Sequence, residues 1–306
     1  MRIIFMGTPD FAVASLKALL DAGENVVAVI TSPDKPAGRG QKIHQSAVKE
    51  FACAHKLPVL QPEKLKNTDF LAELKAYEAD LQVVVAFRML PEVVWSMPPL
   101  GTINVHASLL PQYRGAAPIN HALINGEKET GVSTFLLQHE IDTGNILLST
   151  KVAIEETDNA GTLHDKLMHA GAATLLTTIE GLREKTLSPI PQEEVITEHL
   201  KHAPKIFKED CKIDWKVTND QVYNKIRGLS PYPASYTVMD NKILKIYAVH
   251  KEDNNIGLPA GEYTTDKKTY LKYASTDGLI DLKTVQIEAK KKMSIEEFLR
   301  GYRFEE

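Results

Sequence analysis

Asn104-Val105-His106 lies in an apolar run that reads as a β-strand. Side chains alternate faces along a strand, so the Asn104 carboxamide and the His106 imidazole point the same way, roughly 7 Å apart, while Val105 points to the core. A carboxamide donor beside a titratable imidazole suits a carbonyl whose oxygen turns negative during reaction. Asp142 follows in Ile141-Asp142-Thr143-Gly144, where Thr and Gly mark a turn that returns a carboxylate toward the imidazole. Asn104, His106 and Asp142 are therefore the candidate catalytic set. The same spacing also describes an ordinary buried strand with a satisfied histidine and a turn-forming aspartate.

The elements that must position these groups follow from the hydrophobic pattern. A strand over 2–6, a turn at Gly7-Thr8-Pro9-Asp10, a helix over 11–22 and a strand over 26–30 make a β-turn-α-β start, which predicts a doubly wound, mostly parallel sheet. The dinucleotide fingerprint G-x-G-x-x-G is absent, since only Gly7 is present, and no Walker A pattern occurs. Helices over 46–55 and 69–77 flank a short strand over 58–60, and the near-continuous apolar run 80–87 is of central-strand type. A helix over 117–124, strands over 132–137 and 146–154, and a long helix over 163–182 complete the predicted N-terminal domain, 1–187. His121, His139, His164 and His169 form no H-x-x-x-H or H-E-x-x-H grouping, so no metal is expected.

Residues 188–206 hold Pro189, Pro191 and Pro204 without periodicity and are expected to form a linker. Beyond it the texture changes. A helix over 220–227 precedes short predicted strands over 235–239, 243–249, 261–265, 269–273 and 279–285, and a helix over 295–302 ends the pattern. Asp240-Asn241 and Asp277-Gly278 mark hairpin turns. Five short strands so arranged predict a small β-barrel over 207–306, of the OB-like type that serves nucleic acids.

At 306 residues, 43% hydrophobic and 25% charged, the chain suits two globular domains. The net charge of −4 is uneven: residues 1–205 carry 19 Lys and Arg against 24 Asp and Glu, and 206–306 carry 17 against 16. That balance is only weakly suited to a polyanion partner. Two cysteines, Cys53 and Cys211, are too few for a disulfide framework. No apolar run reaches membrane-spanning length, and a cytoplasmic protein is expected. No coiled-coil pattern occurs, so a monomer is expected. Residues 31–44, with two prolines and two glycines, are expected to lack regular structure. Their Lys35, Arg39 and Lys42 suit phosphates or an RNA end, or simply a solvated loop.

Beyond these local readings, Asn104-Val105-His106, Ser108-Leu109-Leu110-Pro111, Tyr113-Arg114-Gly115-Ala116-Ala117-Pro118 and Asp142-Thr143-Gly144 resemble the formyltransferases that use 10-formyltetrahydrofolate. Ile226-Arg227-Gly228-Leu229-Ser230-Pro231-Tyr232-Pro233 resembles the family's C-terminal domain. The resemblance covers almost the whole chain and implies a Rossmann-like catalytic domain followed by a tRNA-binding barrel. It implies that Asn104, His106 and Asp142 are catalytic and that 10-formyltetrahydrofolate is the co-substrate. Phe87, Arg88, Met89 and Leu90 would form the pterin slot, although many members carry Gly where this chain has Arg88. Ser108, Leu109, Leu110 and Pro111 would lie along the folate through their backbone, or else form a hydrophobic plug.

Pro36-Ala37-Gly38-Arg39-Gly40 looks like the loop with which one branch of the family enters the acceptor stem of initiator methionyl-tRNA. That branch formylates the methionyl α-amine, and Arg39, then Lys42 and Lys35, would contact the tRNA. Two alternatives remain at this stage: a formyltransferase acting on a small amine such as glycinamide ribonucleotide or an amino-sugar nucleotide, and a non-enzymatic tRNA-binding protein.

Overall fold

A computed structural model of the chain describes residues 1–37, 42–196, 199–254 and 256–304, with the side chains of residues 37, 42 and 43 outside that description. In chain order its strands and helices are β1 (Arg2–Gly7), α1 (Asp10–Asp21), β2 (Asn25–Ile30), β3 (Lys35–Ala37), β4 (Lys42–His44), α2 (Ala47–Ala54), β5 (Val59–Leu60), α3 (Thr68–Ala76), β6 (Leu81–Val85), α4 (Glu92–Trp95) and β7 (Thr102–His106). Next come β8 (Arg114–Gly115), α5 (Pro118–Ile124), β9 (Glu129–Leu136), β10 (Ile146–Ala153), α6 (Ala160–Glu184), β11 (His202–Ala203) and α7 (Asn219–Leu229). The chain ends with β12 (Ser235–Met239), β13 (Lys242–Glu252), β14 (Tyr263–Thr265), β15 (Leu271–Ala274), β16 (Leu279–Ile287), β17 (Met293–Ser294) and α8 (Ile295–Gly301).

Two compact units emerge, and each draws on separate stretches of sequence. The first comprises Met1–Gly115, Thr130–Ala153 and His164–His202. Its core is a seven-stranded sheet in the order β10-β9-β7-β6-β1-β2-β5. β1 pairs in parallel with β2 and β6, β2 with β5 and β6 with β7, while β9 runs antiparallel to β7. Strand order reverses between β1 and β6, and ligands of open α/β sheets gather outside the carboxyl ends of the strands at such a point.

Alternation in β1 divides the core between two faces. Ile4 and Met6 join a cluster with Phe70, Leu74, Val84 and Val94, while Ile3 and Phe5 are fully buried on the other face. Ser46 caps α2 by accepting from the Lys49 N–H, and Asn67 caps α3 by accepting from two N–H groups.

Residues 31–44, expected to be irregular, instead carry a two-stranded ribbon. β3 and β4 pair antiparallel, Lys35 opposite His44, Pro36 opposite Ile43 and Ala37 opposite Lys42. In a ribbon each strand has one neighbour, so the N–H that Pro36 lacks is no obstacle. Asp34 anchors the base: it accepts from Lys49 Nζ at 2.6 Å and Gln61 Nε2 at 2.7 Å, and these two bonds hold its carboxyl below the usual carboxylate range.

The second unit comprises Ala116–Glu129, Ile154–Leu163 and Ala203–Glu306. Its antiparallel sheet runs β12-β13-β16-β15-β14, with β17 added on β16. Irregular register in the β13–β16 ladder, between Ile246 and Val249, gives the local bend that curls a sheet. Among the described residues no ladder joins β12 to β14, so the expected barrel is open along that seam. Thr218 closes a capping box at the start of α7, and Ser294 does the same for α8. Asn120 Nδ2 donates to the Gly228 carbonyl at 2.7 Å, and Arg227 Nη1 donates to the Glu155 carbonyl at 3.0 Å. These bonds tie the two early segments of this unit to α7. No described helix is long and apolar enough to cross a membrane.

Candidate active site

β7 presents Asn104 and His106 from one face, as the alternation requires. Val105 is on the other, where Gly171 of α6 passes so close that a β-carbon there would lie 3.2 Å from the Val105 methyl. His106 is buried and Asn104 half-buried. Val84 of β6 and Phe135 of β9 stand opposite Asn104 on either side. The Asn104 carboxamide has no hydrogen-bond partner among the described residues.

Two partners fix the imidazole's surroundings. His106 Nε2 lies 2.9 Å from the Tyr113 carbonyl oxygen. A carbonyl only accepts, so Nε2 carries the proton and donates. The other ring nitrogen, Nδ1, faces Asp142 Oδ2 at 3.8 Å, beyond direct hydrogen-bond reach. The group that orients the imidazole is thus the Tyr113 backbone. Tyr113 has a positive φ of 60° and its N–H donates to the Lys201 carbonyl at 2.7 Å, which sets the angle of its own carbonyl.

Asp142 also has a positive φ, 55°, at the tip of the turn between β9 and β10. Its Oδ2 accepts from the Gly115 N–H at 3.0 Å. Gly144 two residues on is sterically required, since a β-carbon there would fall 1.6 Å from the Leu136 carbonyl oxygen. Gln192 holds the turn from behind: its Nε2 donates to the carbonyls of Asp142 and Gly144, both at 2.8 Å, and its Oε1 accepts from Arg114 Nε and Nη2 at 2.9 and 2.6 Å. Sequence reasoning missed both Gln192 and the Tyr113 carbonyl. Gln192 lies in the stretch expected as a linker, which instead forms a 3-10 turn over Gln192–Val195 and a short strand at His202–Ala203.

The residues expected along the folate divide by exposure. After β6, Phe87 is half-buried, Arg88 exposed, Met89 72% exposed and Leu90 buried in the core. Arg88 turns its guanidinium to the Glu63 carbonyl, at 2.9 Å, and to that of Pro62, bracing the neighbouring loop. Ser108, Leu110 and Pro111 are buried and Leu109 half-buried. Ser108 Oγ donates to the Gln112 carbonyl at 2.6 Å, Leu110 packs with Phe135 and Ile146, and Leu109 fills the space beside Gly131. Their side chains are packed as a plug, and part of the backbone is engaged too: the Leu110 N–H donates to Ser133 Oγ, which donates to the Ser108 carbonyl, and the Leu109 carbonyl accepts from the Gln112 N–H. Of the three basic residues expected at tRNA, Lys35 is exposed on β3, Lys42 lies on β4, and Arg39 falls outside the described residues.

A donor carboxamide, an imidazole held by one nitrogen and a carboxylate at its other edge have the chemistry that acyl-group transfer to an amine requires, and they stand on a sheet of Rossmann type. Sequence comparison agrees: residues 1–179 match the formyl transferase family and residues 205–303 match the formyl transferase C-terminal domain. The chain belongs to the formyl transferase family.

Within that family, it is 51% identical over 312 residues to the methionyl-tRNA formyltransferase of Bacteroides fragilis, covering 100% of this chain and 96% of that one. It is 54% identical over 309 residues to the methionyl-tRNA formyltransferase of Azobacteroides pseudotrichonymphae, covering 98% of this chain and 95% of that one. Among solved structures, HypX from Aquifex aeolicus in complex with tetrahydrofolic acid superposes with a TM-score of 0.67 at 18% identity, over 100% of this chain and 48% of that one. An N-formyltransferase from Helicobacter canadensis, in complex with folinic acid and dTDP-3-aminofucose, gives a TM-score of 0.67 at 20% identity, over 95% and 99%. At such identities these two structures show a shared fold.

Proposed function

We propose that this protein transfers the formyl group of 10-formyltetrahydrofolate to the α-amine of the methionyl group on initiator methionyl-tRNA, giving N-formylmethionyl-tRNA for translation initiation. The carrying observation is that His106 Nδ1 and the Asp142 carboxylate meet at 3.8 Å on the face of β7 that also bears Asn104. Relationship along the whole chain to methionyl-tRNA formyltransferases supports the choice of acceptor.

The co-substrate supplies a formyl carbon activated by a nitrogen leaving group. A free α-amine titrates near about 7.7 and an esterified one lower, so the attacking amine needs no metal to become neutral. The Asn104 NH₂, without a partner among the described residues, donates to the carbonyl oxygen as it gains charge. His106 can assist only from Nδ1, because Nε2–H is held by Tyr113. To donate there it must carry a proton on Nδ1 as well as on Nε2. Asp142 is the acceptor for the amine proton, directly or through water, and His106 the donor to the leaving nitrogen.

On this reading Phe87 and Met89 give the pterin slot its side chains, Arg88 and Leu90 shape it, and Ser108, Leu109, Leu110 and Pro111 contribute backbone. Lys35, Arg39 and Lys42, on and between β3 and β4, meet tRNA phosphates. Residues 1–187 carry the chemistry, 207–306 bind tRNA, and the protein acts in the cytoplasm.

The test is a transfer assay with formyl-labelled 10-formyltetrahydrofolate and, as acceptors, charged initiator tRNA, glycinamide ribonucleotide and an amino-sugar nucleotide. Label is expected on the aminoacyl-tRNA. Label on a small amine instead would overturn the acceptor, and tRNA binding with no transfer would overturn the enzymatic reading.

A further inference from the structure

We infer that Gln192 is a positioning residue for the Asp142 carboxylate, an inference that rests on the catalytic role proposed above for Asp142. Gln192 is fully buried, and its carboxamide is saturated. Both amide hydrogens go to backbone carbonyls, those of Asp142 and Gly144, and both oxygen lone pairs accept from one guanidinium, that of Arg114. With acceptors on one side and donors on the other, the orientation of the carboxamide is settled by its surroundings.

The bonds close a ring. Arg114 is followed by Gly115, whose N–H donates to Asp142 Oδ2 at 3.0 Å. Gln192 in turn holds the carbonyl of the same Asp142 at 2.8 Å. Backbone and carboxylate of one residue are thereby fixed to a common frame, at a left-handed φ of 55° that aspartate enters more readily than most residues. The reacting edge of His106 is 3.8 Å from that carboxylate, and a misplacement of about 1 Å at such a site costs about 10²-fold in rate. Gln192 touches neither imidazole nor, on this geometry, substrate. Its influence passes through the turn.

The experiment is a double-mutant cycle. Gln192→Met removes both halves of the network with little change in length. Gln192→Glu keeps an acceptor for Arg114 but loses both donors, and serves if the first variant fails to fold, which thermal melting reports. Each is made alone and with Asp142→Asn, and kcat and both KM values are measured. Alone, either should lower kcat about 10–100-fold with both KM values within threefold. With Asp142→Asn already present, the second substitution should lower kcat by less than threefold. An unchanged kcat in the single Gln192 variants, or the same loss in both backgrounds, would overturn the positioning role. A wild-type kcat in Asp142→Asn alone would instead overturn the reading of the site itself.

Discussion

His106 Nε2 donates to the Tyr113 carbonyl at 2.9 Å, which leaves Nδ1 as the only ring nitrogen able to take part in chemistry. The imidazole therefore cannot serve the oxyanion alone while neutral, and Asn104 becomes the donor that needs no proton transfer first. Removing one oxyanion donor typically costs about 10²–10³ in kcat. Asn104→Ala should show that loss with its melting temperature and folate-analogue affinity near wild type. Steady-state rates within threefold of wild type would remove Asn104 from the chemistry.

Asp142 itself depends on the turn that carries it. A β-carbon at position 144 would sit 1.6 Å from the Leu136 carbonyl, a clash with backbone rather than with a flexible side chain. Gly144→Ala should therefore move the turn, lowering the melting temperature by several degrees and kcat at least tenfold. Full activity with an unchanged melt would show that the turn accommodates a methyl group and that Asp142 tolerates the shift.

The part of this site that could be read in advance was carried by side chains with a period. The alternation around Asn104 and His106 specified a strand and a common face, and the apolar run 80–87 specified its central neighbour, which the structure ends at Val85. What escaped was held by backbone groups and by distant sequence. The Tyr113 carbonyl has no side-chain signature, and Gln192 reaches Asp142 across 50 residues from a proline-rich stretch with no pattern of its own. The ribbon of β3 and β4 was hidden because the prolines and glycines of 31–44 read as loop formers, although a two-stranded ribbon tolerates Pro36. In the second unit, α5 was legible as a helix, but its partner α7 lies roughly a hundred residues later, so the shared unit was not.

That shared unit changes what a truncation should do. A chain cut near residue 205 keeps every residue proposed to line the folate. It would lose α7, to which Asn120 and the carbonyl of Glu155 are bonded through Gly228 and Arg227. Residues 116–129 and 154–163 would be left with exposed apolar surface. The truncated chain is expected to melt several degrees below the full chain and to associate at micromolar concentration. A melt equal to that of the full chain, with monomeric behaviour on sizing, would show that the early segments need no partner.

Contact with tRNA through the basic ribbon predicts a kinetic signature distinct from that of the catalytic trio. The base of the ribbon is held by Asp34, which accepts from Lys49 and Gln61. A residue that meets only phosphate contributes to binding in the ground and transition states alike, which raises KM when it is lost and leaves kcat unchanged. It also gives a steeper fall of affinity with salt. Arg39→Ala should raise KM for charged tRNA about tenfold, leave KM for the folate unchanged and reduce the salt dependence of tRNA binding by about one charge. Lys35→Ala, on the exposed strand β3, should act in the same direction with a smaller size. A drop in kcat at saturating tRNA, with KM unaltered, would instead assign Arg39 to the chemical step.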